Sequence, residues 1–362
     1  MLVVGAGIVG LCCAWLLQRS GHRVLLVDPS PDPCAAGTDQ ARGSSAALGV
    51  LMARVFHRNR GRAWLLRQRS LELWQHWLPL LEQQGLELPR RRGLLWLAED
   101  EEQLTRLQRL VVERQAMGLP LEWWDRDRLD ALEPCLPAAA RGGLISPEDG
   151  QLDPGAAMTA LLDDARRAGL QCLMSRVTAI RRKDHHHWRL LGDRGETLAD
   201  SPWLVLTAGL SCSTLLQDLG HRLPLSPVLG QALELRLTTP PAWTWPGVVV
   251  WRGQNLVPRP DRPGGRDLWL GATLEPGEQA DADQLAVLRR WSDAGLGWLE
   301  RAQVVRHWQG YRARPVGRPA PLLEQLEPGL LLAGGHYRNG VLLAPASAEW
   351  VRARVEQEAS PR

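Results

Sequence analysis

The chain opens on an uncharged apolar run, Leu2–Leu17, interrupted by glycines and followed by Gly21-His22-Arg23 and a second apolar run, Val24–Val27, that ends in Asp28. It reads as strand, glycine turn, buried helix over Leu11–Arg19 and strand, a βαβ unit. The first run lacks a basic start and is shorter than the roughly 20 residues of a membrane span, so it reads as core, not as a leader or a span. Alternating stretches at Gly93–Ala98, Gln231–Leu237 and Asp267–Thr273 predict half-buried strands of an antiparallel sheet. The first strand, Met1–Val4, is short, which leaves open whether residues upstream are missing.

Within the first unit, Gly5-Ala6-Gly7-Ile8-Val9-Gly10 is GxGxxG between strand and helix. Gly5 suits the tight turn, Gly7 lets backbone approach a pyrophosphate, and Gly10 allows close helix–strand packing. The helix start offers N–H groups and partial positive charge to phosphates. Asp28 stands where an acid accepts bonds from ribose hydroxyls. These features predict a dinucleotide site but do not separate NAD from FAD. The small-residue segment Ala41–Leu51 suits close contact with a ligand, with Ser44 and Ser45 as donors to phosphate or ribityl oxygens; a helix start packed on the sheet is the alternative. Near the end, Gly329–Gly335 and His336–Pro345 repeat the pattern of a strand, a glycine pair, a turn and a helix.

Composition adds limits. The chain is 44% hydrophobic and 23% charged, with net charge +3, which excludes disorder and a collagen repeat. Lys+Arg total 43, and Lys183 is the one lysine, so 42 are arginine; Trp numbers 17 against 2 Tyr and 1 Phe. That bias reads as a GC-rich genome more than as a nucleic-acid or carbohydrate surface, because acids nearly balance the arginines. The 6 Cys form no CxxC and have no histidine at metal-ligand spacing. A disulfide scaffold or zinc site is not expected, and a reducing cytoplasm fits. His185-His186-His187 reads as a hairpin surface, not a metal site, and Trp123-Trp124 as half-buried packing in a loop.

The segment His336-Tyr337-Arg338-Asn339-Gly340-Val341-Leu342, with the strand before it, resembles the signature of the D-amino-acid oxidase/glycine oxidase family of FAD-dependent amine oxidases, nearest its glycine oxidase branch. Gly43–Val50, Glu133-Pro134, Pro147–Pro154, a helix at Ala156–Ala168 with a strand ending near Val177, a strand at Leu204–Gly209, Leu223–Gln231, Leu256–Arg259, Gly271–Thr273 and Trp308–Arg312 resemble further family segments in order, so the likeness spans about residues 1–350. It implies an α/β fold: a Rossmann-type FAD-binding domain, discontinuous over 1–85, 147–225 and 312–362, and an antiparallel-sheet substrate domain over 86–146 and 226–311. It implies noncovalent FAD, since no cysteine follows Cys212. The cofactor would be held by Gly5, Gly7, Ile8, Val9, Gly10, Asp28, Pro29, Gly43, Ser44, Leu48, Gly49, Val50, the backbone of Val177, and His336, Tyr337, Arg338, Asn339, Gly340, Val341 and Leu342.

By the same likeness, the substrate is a small amino acid or secondary amine whose C–N bond is oxidised by hydride loss to the flavin, with imine hydrolysis and oxygen as acceptor, giving peroxide. Arg312 and Arg338 are the carboxylate-binding positions. A link to thiazole synthesis for thiamine, a cytoplasmic place and a homo-oligomer are compatible with it; no nucleic-acid partner is expected. Three departures stand out. Asn255 replaces a tyrosine, Arg312-Ala313-Arg314-Pro315 makes Arg314 a rival of Arg312, and Gly317–Ala320 replaces an Asp-Gly turn. They leave other readings open: a drifted flavin-binding partner subunit, an oxidase of a modified tRNA base, or an NAD-dependent dehydrogenase if the C-terminal likeness is chance.

Overall fold

The structure, a computed structural model, describes residues 1–32, 43–184, 187–289 and 296–359. Its α/β architecture rests on one mainly parallel sheet and one mainly antiparallel sheet. The first has six strands in the order Leu322–Glu327, Leu330–Gly334, Leu204–Leu206, Leu2–Val4, Leu25–Asp28 and Gln171–Met174. All neighbours are parallel except the first pair. Parallel neighbours need crossovers, and the helices Ile8–Arg19, Pro154–Arg167 and Gly340–Ala359 pack together at this sheet. Leu2, Val4, Leu204, Leu206, Leu330 and Leu332 are buried on its other face, under the three-stranded sheet of Ala179–Asp184, His187–Leu191 and Thr197–Ser201.

The second sheet has ten strands among the described residues, and at one end of it Leu225–Arg236 pairs along its length with Gln303–Pro315. Its strands were expected to be half-buried, but Asp267–Gly271 is buried throughout and Arg90–Ala98 nearly so from Gly93 on. The reason is that both faces are covered. Leu107 and Val111 of the helix Glu101–Gln115 pack on one, and Trp243, Trp245, Leu288 and Leu299 on the other. No helix among the described residues is long and apolar enough to cross a membrane.

Several expected elements shift. The first helix begins at Ile8, not Leu11, so Gly10 lies inside it. The segment 43–49 forms turns leading into the short strand Val50–Leu51, not a helix start. The strand before Val177 stops at Met174, where the Ser175 N–H bonds the Asp28 carbonyl, and Val177 lies in the connection beyond. Trp123 and Trp124 sit in a strand, Glu122–Trp124, paired with Gly142–Leu152, not in a loop. His185, His186 and Cys34 lie outside the described residues; His187 opens a strand antiparallel to Ala179–Asp184. Gln231–Leu237 belongs to a longer strand starting at Leu225, and the strand from Asp267 ends at Gly271. The two-domain division remains a proposal. The Leu225–Arg236 and Gln303–Pro315 ribbon runs unbroken across its limits at 225/226 and 311/312, and Val50–Leu51 of the first segment pairs with the second sheet.

Candidate active site

At the centre of the parallel sheet, the turn Gly5–Gly7 is tight by construction. Gly5 has φ +103°, and a Cβ there would lie 2.8 Å from the Thr207 carbonyl oxygen. A Cβ at Gly10 would lie 1.8 Å from the Gly5 carbonyl oxygen and 2.6 Å from Thr207 Oγ1. Helix and strand therefore meet closely only because both positions are glycine. Thr207 completes the turn by donating its hydroxyl to the carbonyls of Val4 (2.8 Å) and Gly5 (2.9 Å). By contrast, a Cβ on Gly7 would meet only Ser44, at 3.0 Å. Gly7 thus presents bare backbone at the start of the helix, where N–H groups lack intrahelical acceptors. The Ile8 N–H is given to Ser44 Oγ at 3.0 Å.

Asp28 closes the same edge. Its Oδ2 accepts the Ala6 N–H and its Oδ1 the Ser30 N–H, both at 2.8 Å. Each oxygen keeps a lone pair for a further donor, and Pro29 beside it is exposed. The segment from Gly43 to Val50 lies between the two sheets. A Cβ at Gly43 would come 2.7 Å from the Tyr311 carbonyl oxygen, and Trp308 Nε1 donates to the Ala46 carbonyl at 3.0 Å. Gly49, at φ +74°, would place a Cβ 1.8 Å from the Leu152 carbonyl oxygen, and Leu48 reaches toward Gly271 of the second sheet. Val177, half-buried, packs against the core under the parallel sheet.

The C-terminal motif arrives from the strand Leu330–Gly334. His336 is buried and its Nε2 donates to Ser347 Oγ at 2.8 Å; that hydroxyl donates in turn to the Leu343 carbonyl. Burial, with the charge of Arg62 nearby, pushes the imidazole down to about 4, so it is neutral at pH 7. Tyr337 takes a left-handed conformation, φ +55°, at the turn, a position that non-glycine residues occupy only when surroundings hold them there. Asn339 ends a short 3-10 turn and Gly340 starts the last helix, where Val341 and Leu342 are buried.

Arg312 is the electrostatic feature of the site. Its Nη1 donates to the carbonyls of Leu229 and Thr273, both at 3.1 Å. Its Nε and Nη2 have no hydrogen-bond partner among the described residues, and no carboxylate pairs with it. Burial above all, then the neighbouring charge of Arg338, lowers its pKa, against which Glu275 acts. A guanidinium in this state presents two parallel N–H donors to an anion. Arg338 is exposed on the turn after Tyr337. The rival Arg314 is exposed and bonds Ser226 Oγ at 3.3 Å, and Asn255 turns its Nδ2 to the Gly271 carbonyl at 3.2 Å.

A dinucleotide cradle of bare glycine backbone and a half-satisfied carboxylate therefore sits in one sheet, and a half-buried arginine with no carboxylate partner among the described residues on the other, with 43–50 between them. A family model described as "FAD dependent oxidoreductase" matches residues 1–354. The chain belongs to this family. It is an FAD-dependent oxidoreductase, and the fit of the cradle agrees with FAD as its cofactor. Glycine oxidase of Geobacillus kaustophilus is 28% identical over 98% of this chain and 92% of its own. The crystal structure of glycine oxidase from that organism superposes with TM-score 0.85, covering 99% of this chain and 95% of that one. The bifunctional protein ThiO/ThiG of Synechocystis is 29% identical over 100% of this chain and 52% of its own length.

The sequence motifs do not single out Thr207 or Ser347 for the hydrogen bonds they make. Thr207 lies inside the family-like segment Leu204–Gly209, but nothing local marks a hydroxyl that bonds a strand 203 residues away.

Proposed function

We propose that this oxidoreductase is glycine oxidase-like and oxidises the C–N bond of a small amino acid or secondary amine. The observation that carries the reading is the half-buried Arg312, with Nη1 tied to two carbonyls and the edge formed by Nε and Nη2 left open. Gly5, Gly7, Ile8, Val9, Gly10, Asp28, Pro29, Gly43, Ser44, Leu48–Val50, Val177 and His336–Leu342 are the proposed FAD contacts. FAD, when bound, supplies the two-electron acceptor for the hydride leaving Cα, and oxygen as the final acceptor would yield peroxide. The protein's part is orientation: a bidentate arginine fixes the carboxylate, so the amine-bearing carbon has one placement. The exposed Arg338 adds positive potential at the mouth and steers anions inward. Neutral His336 adds no charge to this turn, while Ser347 holds its ring in place. Noncovalent attachment fits the buried Cys212, whose thiol burial pushes up to about 12.

The test is peroxide release by FAD-loaded protein across glycine, sarcosine, D-amino acids and L-proline. Arg312→Ala should raise KM for the amino acid oxidised by about a hundredfold, the loss of two charge-assisted hydrogen bonds. Arg182→Ala, at an exposed pair with Glu327, should leave it unchanged. Equal effects would remove Arg312 from the clamp. The missing hydroxyl at Asn255 carries a second reading, a flavin-bound subunit without oxidase activity. Silence across the whole substrate panel would favour it.

A further inference from the structure

Arg312 stands opposite Val228 in the Leu225–Arg236 and Gln303–Pro315 ribbon, and its side chain crosses the neighbouring strand at Gly230. A Cβ on Gly230 would lie 2.2 Å from Nη2 and 2.3 Å from Nη1, so the guanidinium lies flat on bare backbone. From there Nη1 reaches the Leu229 carbonyl of the strand beneath and the Thr273 carbonyl beyond it. Thr273 is itself fixed. Its N–H bonds the Gln231 carbonyl at 3.1 Å, its hydroxyl oxygen accepts the Gln231 N–H at 2.7 Å, and that hydroxyl donates to Glu275 Oε1.

Glu275 is a carboxylate only 4% exposed. Besides Thr273, its Oε1 accepts from Gln231 Nε2 at 3.0 Å, and its Oε2 accepts the Asp281 N–H at 2.6 Å. Its charge favours the charged Arg312, yet it makes no ion pair with it. A bidentate pair is the strongest contact a carboxylate can make with a guanidinium fork. Here the oxygens are occupied by Thr273, Gln231 and Asp281, and the fork stays open.

We propose that Glu275 is a positioning residue for carboxylate recognition: it sets the Thr273 carbonyl against Arg312 Nη1 and supplies a counter-charge that cannot block the fork, while Gly230 provides the bed on which the guanidinium lies. The inference rests on reading Arg312 as the carboxylate clamp. It makes Gly230, Thr273 and Glu275 determinants of affinity for the carboxylate of the substrate, and not of the chemical step.

The experiment uses FAD-loaded protein with acetate as a carboxylate probe, its Kd read from the flavin absorbance, alongside KM and kcat for whichever amino acid is oxidised. Glu275→Gln should raise the acetate Kd and the KM together by about tenfold, with kcat within about twofold, because an amide loses the charge and one acceptor. Thr273→Val should do the same, and Thr273→Ser, which keeps the hydroxyl, should restore tight binding. Gly230→Ala should weaken acetate further; if that variant does not fold, the Glu275 and Thr273 pairs still decide. Arg312→Ala separates the two ideas. If Arg312→Ala weakens acetate but Glu275→Gln does not, the positioning role falls and the clamp stands. If Arg312→Ala leaves acetate binding unchanged, the clamp reading falls and takes this inference with it. A drop in kcat with unchanged acetate Kd in Glu275→Gln would also overturn it.

Discussion

His336 is neutral in the folded protein because charging it would strand a cation away from water beside Arg62. In the unfolded chain an imidazole titrates near 6.5, so between that value and about 4 the unfolded state binds the extra proton. Stability from this group is therefore present above about pH 6.5 and is lost as the pH falls toward the folded value. His336→Gln keeps a donor for Ser347 and removes the titration. Urea unfolding at pH 7 and pH 4.5 should show the wild-type protein losing on the order of 2 kcal/mol more than the variant. Parallel losses would show that this ring is not held neutral. The same residue marks the limit of reading single positions. The glycines of GxGxxG and Asp28 are legible because a turn and its adjoining strand are set by neighbours in sequence. Ser347 under His336, or Gly230 under Arg312, depends on partners that only the folded chain supplies.

Elements are legible where their ends carry local signals. Asp153-Pro154 is an N-cap followed by proline in the first turn, and the helix does begin at Pro154, ahead of the expected Ala156. Asp153 has a second duty that no helix signal announces. While Oδ1 caps Ala156 N at 2.9 Å, Oδ2 meets Arg259 Nη2 at 2.6 Å, and Arg259 is 1% exposed. Removing the carboxylate costs a cap, about 1 kcal/mol, and leaves the buried guanidinium with Asp261 as its acidic partner. Asp153→Ala should therefore lose about 3 kcal/mol in urea unfolding, and Asp153→Asn, which keeps a capping oxygen, distinctly less. Equal losses would mean that the cap contributes nothing beyond the ion pair. The strands expected to alternate fail for a related reason: periodicity reports a half-buried sheet, and this one is packed on both faces by segments far away in the chain.

Across the whole molecule, the proposed cofactor contacts come from Gly5–Gly10, Asp28, 43–50 and 336–342, which the parallel sheet and the Trp308–Ala46 and Gly43–Tyr311 contacts gather between the two sheets. The order of these segments is legible in the sequence; their convergence follows from strand order, which sequence spacing does not fix. A ligand that bridges segments so widely separated binds the folded state and not the unfolded chain. It must then stabilise by RT ln(1 + [L]/Kd), about 2.7 kcal/mol at a hundredfold excess over Kd. For a chain of this size the expected rise in Tm is several degrees. Asp28 ties the turn at Ala6 and the connection at Ser30 to the same edge, so Asp28→Ala should lower the affinity for FAD and reduce the rise in Tm at a fixed FAD concentration. Differential scanning of apo protein with increasing FAD, for wild type and Asp28→Ala, checks both statements. If the two proteins gained equally at every concentration, Asp28 would have no part in holding the cofactor. If neither gained, FAD would not bind the folded protein at these concentrations, and the reading of Gly5 to Gly10 as its cradle would fall.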